Sequence, residues 1–401
     1  KMKQRIITRT VLLVSLVSLF TDIASEMLYP VMPVYLRSIN FSVLLILILE
    51  GLAEFTAGLS KGYFGNLSDS RGTRMPFVRW GYALSAISKP LMAIFTYPLW
   101  IFFARTLDRL GKGIRTGARD ALLSSETIKE HKAKVFGFHR SLDTVGAAIG
   151  PIIALIFLYF YPGQYFWIFI IAFFPGIVSI FITFLIKEKR NDELLAKKKS
   201  PGFLTFIKYW KNSPALYKKL VIGLLLFTFL NSSDALLLLF LNKSGFNDTA
   251  VIGFYIFYNL VYALVSYPAG VLADKIGMKK TLLAGLLLFA MVYFFFGFAS
   301  ELWHFAILFF AYGFYAASTE GISKAWITNI SKPEETATAI GFYTSFGSIF
   351  AFLANLFAGL VCLYFSFKTS FFISGIGVAI VVVYFVFALQ VIRRNQIFKT
   401  P

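Results

Sequence analysis

The chain has 401 residues, 58% of them hydrophobic and 15% charged, with a mean hydropathy of +0.71. That balance excludes a water-soluble fold: apolar runs of ~20 residues, enough to cross ~30 Å of hydrocarbon, recur along the chain, so lipid is the solvent for most of it. The formal charge of +19 does not mark a nucleic-acid binder, because Lys and Arg fall mostly in alternate inter-span segments, the positive-inside pattern.

About twelve spans are expected, all helical because backbone in lipid must bond to itself. They cover 8–37, 42–66, 75–96, 98–122, 133–160, 164–187, 217–243, 248–272, 280–299, 302–329, 335–363 and 368–392. One side collects Lys1, Lys3, Arg5, Arg9, then Arg71, Arg74, Arg79, then Lys129, Lys132, Lys134, then Lys275, Lys279, Lys280, and finally Arg393, Arg394 and Lys399. The other side has little beyond Arg37, Lys243 and Lys368. Both termini are therefore expected in the cytoplasm. The first apolar run, from Ile6 to Leu36, is too long for a signal peptide and ends without a small-residue cleavage site. The 47 Phe and 20 Tyr suit lipid-facing bulk and interfacial anchoring. Cys362 stands alone, and His131, His139 and His304 have no ligand spacing; no disulfide, metal site or cofactor is expected.

In chain order, the first span carries Ser18, Asp22, Ser25, Glu26 and Tyr29 on one face. Asp22 is about 12 residues into the span, near mid-depth at ~1.5 Å per residue. A carboxylate at that depth should pair, protonate or line water. After the second span comes Gly65-Asn-Leu-Ser-Asp69-Ser-Arg-Gly72, a turn whose Asp can pair with bases of neighbouring helices. Lys89, followed by Pro90, is deep in the third span and either snorkels or bonds a first-span carboxylate.

The fourth span is unusual. Arg105, Asp108, Arg109, Lys112, Arg115 and Arg119 share a sector of roughly 120° on a helix, with Asp120 beside it. Five are basic and two acidic, a net +3. In lipid, such a face must turn toward a protein-lined cavity. Arg105, Asp108, Arg109 and Lys112 occupy the deep half and read either as a substrate site or as an internal salt-bridge network with the first and fifth spans. Arg115 and Arg119, nearer the cytoplasmic end, read as gate residues. On the fifth span His139, Asp143, Gly146 and Gly150 share a face, followed by Pro151. The glycines permit close helix packing. Asp143 either pairs with a fourth-span arginine or titrates. Lys187 to Lys219 is the long polar break, expected as a cytosolic linker touching phospholipid. The domains are then 1–187, 188–216 and 217–401. The seventh span offers Asn231, Ser232, Ser233 and Asp234; the tenth offers Tyr312, Tyr315, Thr319, Glu320 and Lys324. Glu320 and Lys324, four apart, form either an intrahelical pair or part of a gate.

The halves repeat each other. Gly270-Val-Leu-Ala-Asp274-Lys-Ile-Gly277 matches the Asp69 loop 205 residues earlier. The same shift carries Arg115 to Glu320 and Arg119 to Lys324, while Arg105, Asp108 and Arg109 meet Phe310, Gly313 and Phe314. A duplicated six-helix unit is the simplest account, and parallel repeats of this kind put a substrate site near the bilayer midplane between halves.

With G-x-L-x-D-x-x-G after the second and eighth spans, Arg105 to Gly111 and Gly113 as R-x-x-x-x-x-G-x-G, and Gly146-Ala-Ala-Ile-Gly150-Pro151, the whole chain resembles the major facilitator superfamily, with an antiporter-type fifth span. The blocks SLFTDIASEMLYPVMPVYL, RTLDRLGKGIRTGARDALL and GFHRSLDTVGAAIGP are similar to a prokaryotic subgroup identified only as transporters in general, so no substrate follows. The resemblance implies an all-α fold of two six-helix bundles, gating by the Asp69 and Asp274 loops, and a monomer in the inner membrane. Enzyme motifs, a phosphate-binding loop included, are absent.

The sequence thus points to a proton-coupled antiporter exporting an anionic or zwitterionic organic solute. Its expected substrate contacts are Arg105, Asp108, Arg109, Lys112, Tyr29, Asn231, Asp234 and Tyr312; its proton carriers are Asp22, Glu26, Asp143 and His139. Asp69, Asp274, Arg115, Arg119, Glu320 and Lys324 would gate, and Gly146, Gly150 and Pro151 would pack helices. A transporter of lipids, siderophores or other amphiphiles is the alternative, and a sensor on a transporter fold a second.

Overall fold

The computed structural model describes residues 6–29, 31, 32, 35, 36, 39, 43–188 and 201–397. Lys1, Lys3, Arg5, Arg37, Lys399 and the 189–200 stretch of the linker lie outside the described residues, as do the side chains of Arg393 and Arg394.

Among the described residues the fold is helical without strands. The first half comprises α1 (Arg9–Leu28), α2 (Val43–Arg71), α3 (Met75–Ile94), α4 (Pro98–Ser125), α5 (Lys132–Phe160) and α6 (Tyr165–Phe184). The second comprises α7 (Ala215–Leu230), α8 (Asp234–Lys243), α9 (Asp248–Ile276), α10 (Met278–Phe296), α11 (Leu302–Ile330), α12 (Thr336–Tyr364) and α13 (Phe367–Ile397). Local chemistry sets the ends. Thr8 and Asn247 accept from Val11 and Ala250 N–H as N-caps. Pro98 sits in the first turn of α4, where a missing N–H has no consequence. Gly72 and Gly277 close α2 and α9 with φ of 64° and 101°, which favours glycine and accounts for the last residue of each repeated motif.

The sequence suggested one continuous seventh span over 217–243, and the structure divides it in two. It breaks at Asn231–Ser233, where Ser233 caps α8 and its own N–H bonds Asn355 Oδ1 at 2.7 Å. Asn and Ser compete with helical backbone bonding, and Asn355 satisfies the group that is freed.

Within the first half α1 packs on α5 and α6, α4 on α2 and α3, and α3 on α6. In the second, α11 packs on α9 and α10, and α13 on α7 and α10. Between halves, α2 runs along α12 and α5 along α9. These two interfaces are equivalent under the repeat. Nine spans among the described residues are long and apolar enough to cross a membrane. The end bearing Asp69 and Asp274 is called the linker end, because residues 201–213 dock there: Phe206 is buried against Gly62, and Trp210 stacks on Phe342 with ring centroids 5.5 Å apart.

Candidate functional site

A cavity of about 310 Å³ lies between the halves, walled by α1, α4 and α5 on one side and α8, α9 and α11 on the other. Asp22, Glu26, Lys112, Arg115, Arg119, Asp143, Asp234, Glu320 and Lys324 all line it, so the sequence-predicted residues of three roles share one space.

The fourth-span stripe divides, but at a different level from the sequence expectation. Asp108 accepts from Lys89 Nζ at 2.6 Å and Ser85 Oγ at 2.6 Å, with Arg105 at 3.5 Å. All three charged residues are buried. This is a three-member ionic network between α3 and α4, and Lys89 is completed by Ser25 of α1 at 3.2 Å. Arg105, Asp108 and half-buried Arg109 are not among the residues lining the cavity. Lys112 and Arg115 are. Arg115 is 4% exposed, its guanidinium 4.5 Å from the Tyr82 ring centre, with Nε and Nη1 lacking a hydrogen-bond partner. An arginine so desolvated without a carboxylate is costly unless a ligand completes it.

The floor toward the linker end is ionic. Asp120, fully buried, pairs with Arg119 at 2.9 Å and, across the halves, with Lys324 at 2.9 Å. Arg140 pairs with Asp143 at 2.6 Å and, across the halves, with Glu320 at 2.6 Å, while its Nε donates to Tyr262. Glu320 and Lys324 therefore reach across to the first half instead of pairing with each other. Ser18 donates to Asp143, and Asp22 lines the same cavity. His139, buried beneath, contacts Ser15 at 3.3 Å and does not line the cavity.

Gly146 and Gly150 make these contacts possible. A Cβ on Gly146 would meet the Leu19 carbonyl and Asp22, and one on Gly150 the backbone of Ile23 and Met27. The α1–α5 approach thus has no room for side chains, which sets Asp22 against Asp143. Pro151 is buried within α5 one residue later.

Toward the far end the lining changes. Tyr255, Tyr258 and Tyr262 run along α9. Asp234 accepts from Tyr312 at 2.7 Å, and Asn231 donates to Tyr315 at 2.9 Å. Tyr255 donates to Glu26 at 3.2 Å and stacks on Tyr29, ring centroids 6.3 Å apart.

The two motif aspartates act on backbone across the interface. Asp69 Oδ2 accepts from Thr338 N–H at 2.7 Å and Thr338 Oγ1 at 2.8 Å. Asp274 accepts from Ala133 and Lys134 N–H at 3.1 and 2.9 Å. Each caps the first turn of a helix, α12 or α5, that belongs to the other half. Glycines allow the approach: Gly65 lies on the Ala337 carbonyl, and Gly270 on that of Ala133.

Two contributors, Arg140 and Lys61, were not singled out in the sequence, and Asp120 was named there only as the edge of the stripe. Lys61 Nζ donates to Ser348 across the halves at 2.8 Å.

Two pseudo-equivalent helical bundles around a polar, charged central cavity are the architecture of a membrane transporter. A profile of the Major Facilitator Superfamily matches residues 14–259 and 235–401. An uncharacterized MFS-type transporter of Methanocaldococcus jannaschii is 31% identical over 361 residues, 88% of this chain and 89% of that one. The chain belongs to the major facilitator superfamily and is a multi-pass membrane transporter, not an enzyme. A homologue of the multi-drug resistance efflux pump PmrA from Lactococcus lactis is 26% identical over 33% of each chain. Among solved structures, the human organic anion transporter MFSD10 (TETRAN) superposes with a TM-score of 0.82 at 16% identity, covering 94% of this chain and 99% of that one.

Proposed function

We propose that the protein is a proton-coupled antiporter that exports an anionic or zwitterionic small organic solute from the cytoplasm, with both termini on the cytoplasmic side of the inner membrane. The observation that carries this is Arg115: a buried guanidinium in the cavity wall with two nitrogens left without partners. Lys112, exposed in the same wall, adds a second cation one turn away. Together they suit a carboxylate, for which a guanidinium offers a fork of donors. Asp234 and the α9 tyrosines give the opposite wall acceptors for an amine or hydroxyl. Arg105, Asp108 and Lys89 then hold α3 against α4, which keeps Lys112 and Arg115 in register one and two turns further along.

Proton coupling is assigned to Asp22, Glu26 and Asp143. Asp143 already joins Arg140 and hence Glu320, so a proton gained there releases Arg140 from its own-half partner and changes its pairing with Glu320 across the halves. Loading the carboxyls and the balance of the linker-end floor are thereby linked, which is how a proton can bias alternation. In the conformation seen, the linker end is sealed by the two aspartate caps and the Asp120–Lys324 and Arg140–Glu320 pairs; this is the state facing away from the cytoplasm. One chain contains the whole cavity, so a monomer suffices.

The test is a thermal-shift screen of purified protein against mono-, di- and tricarboxylates and amino acids, followed by counterflow of the hit in proteoliposomes with an imposed pH gradient. The ligand shift should vanish in Arg115→Gln, and an Asp22→Asn/Asp143→Asn variant should still bind but no longer respond to the gradient. A hit whose shift survives both Arg115→Gln and Lys112→Ala removes the site assignment.

A further inference from the structure

A second cavity, of about 710 Å³, lies between the halves at the linker end. It shares no lining residue with the central one. Its walls are the connection from α4 to α5 and the equivalent connection from α11 to α12. Four cationic residues line it, Arg74, Lys129, Lys132 and Lys332, against one carboxylate, Glu130.

A surplus of bases at a cytoplasmic membrane face is ordinary. Their convergence on a space between the two halves is a separate fact. Lys132 is 8% exposed, and its Nζ is 2.9 Å from the Thr328 carbonyl of the other half. An ammonium has three donors; among the described residues no carboxylate pairs with this one. Arg74 reaches across as well, donating to the carbonyls of Ala121 in its own half and Pro333 in the other, both at 3.2 Å. Lys129 and Lys332 are exposed at the rim, one from each half. The space is of ordinary ligand-pocket size.

We propose that this cavity binds a phosphate-bearing polyanion, and that its occupation holds the linker end shut. The phosphate oxygens would accept from Lys132 and Arg74 inside and from Lys129 and Lys332 at the rim. The cations come from both halves, so the full set converges only while the linker end is closed. A ligand that binds one state must favour that state. The cavity is therefore an inhibitory site, sensitive to phosphorylated compounds on the cytoplasmic side. This inference rests on the two-half closure and not on the identity of the transported solute.

The probe is inorganic pyrophosphate, titrated into the purified chain in uncharged detergent at constant ionic strength, with chloride as the matched control. It should raise the unfolding temperature. It should also narrow the distance distribution between spin labels at Arg71→Cys and Glu334→Cys in a Cys362→Ser background, two exposed positions on opposite halves. Lys132→Gln should weaken the apparent affinity by about tenfold or more. Because Lys132 is buried, a Lys129→Ser/Lys332→Ser variant, changed only at the exposed rim, provides the independent check and should also weaken binding. An anionic lipid headgroup carries the same chemistry, so the distance measurement is repeated in nanodiscs of phosphatidylglycerol and of phosphatidylcholine. A response to pyrophosphate assigns a soluble ligand; narrowing by phosphatidylglycerol alone assigns a headgroup; either supports the site. No response to either, or a response unchanged in the rim variant, overturns it.

Discussion

Removing the Asp69 and Asp274 carboxylates should open the linker end without unfolding either half. Asp69 supplies two hydrogen bonds to Thr338, and Asp274 one each to Ala133 and Lys134. Loss of a helix cap costs ~1 kcal/mol, and the field at a helix N-terminus can raise the contribution of a charged cap to ~2 kcal/mol. These contacts exist only between halves, so the whole loss falls on the closed state. At ~1.4 kcal/mol per tenfold, each Asp→Ala variant should shift the closed-to-open ratio by roughly 5- to 30-fold. The two caps share no partner and the effects should add, giving roughly 30- to 1000-fold in the double variant. Asp→Asn keeps an acceptor but loses the charge and should fall between. The assay is the spin-label distance across the linker end, read beside the unfolding temperature of the same samples. A double variant that remains folded with its short-distance population unchanged would refute the reasoning.

Asp108→Asn leaves Lys89 buried without its counter-charge and should destabilise the first half by ~3–5 kcal/mol, seen as a lower unfolding temperature, whereas a Lys89→Met/Asp108→Leu pair, which still takes the Asp108 carboxylate from Arg105, should recover part of it. Gly146→Leu should prevent α1 from reaching α5, because even a Cβ at that position would overlap the Leu19 carbonyl; the readout is loss of folded protein on size exclusion, and normal yield with intact transport would contradict it. Lys324→Ala leaves the fully buried Asp120 with Arg119 as its remaining cation and should favour the open linker end, measured with the same labels; an unchanged distribution would mean that the Asp120–Lys324 pair plays no part in closure.

Much of the fold was legible in the sequence. Lipid as solvent, two repeated halves and the polar face of α4 all follow from composition, period and spacing. Partners were not. A helical wheel says that Arg105 and Asp108 share a face with Arg115, but not that Lys89 on another helix ends 2.6 Å from Asp108. Depth counting assigned Arg105, Asp108, Arg109 and Lys112 to the cavity; the structure keeps Lys112 there, adds Arg115 and Arg119, and leaves the other three out of the lining. Asp69 was legible as a turn residue; its partner, the backbone N–H and hydroxyl of Thr338, lies 269 positions away, and no local spacing points to it. The broken seventh span was masked by its composition, since leucines and phenylalanines run on both sides of Asn231–Ser233. Arg140 was hidden because one arginine beside a predicted carboxylate says nothing of the glutamate it meets across the interface.

The aspartate caps hold peptide groups, and a peptide group is supplied by nearly every amino acid. Half-buried Lys134 could be exchanged for many other residues without depriving Asp274 of the N–H it grips. This part of the closure, unlike the Asp120–Lys324 and Arg140–Glu320 pairs, is thus insulated from drift in the side chains that line the pathway. A duplicated ancestor could keep one fastening on both copies while one lobe accumulated cations and the other tyrosines. The lopsided interior and the symmetrical fastening are, on this view, the same economy: a lock that does not inspect its key leaves the lobes free to specialise in cargo.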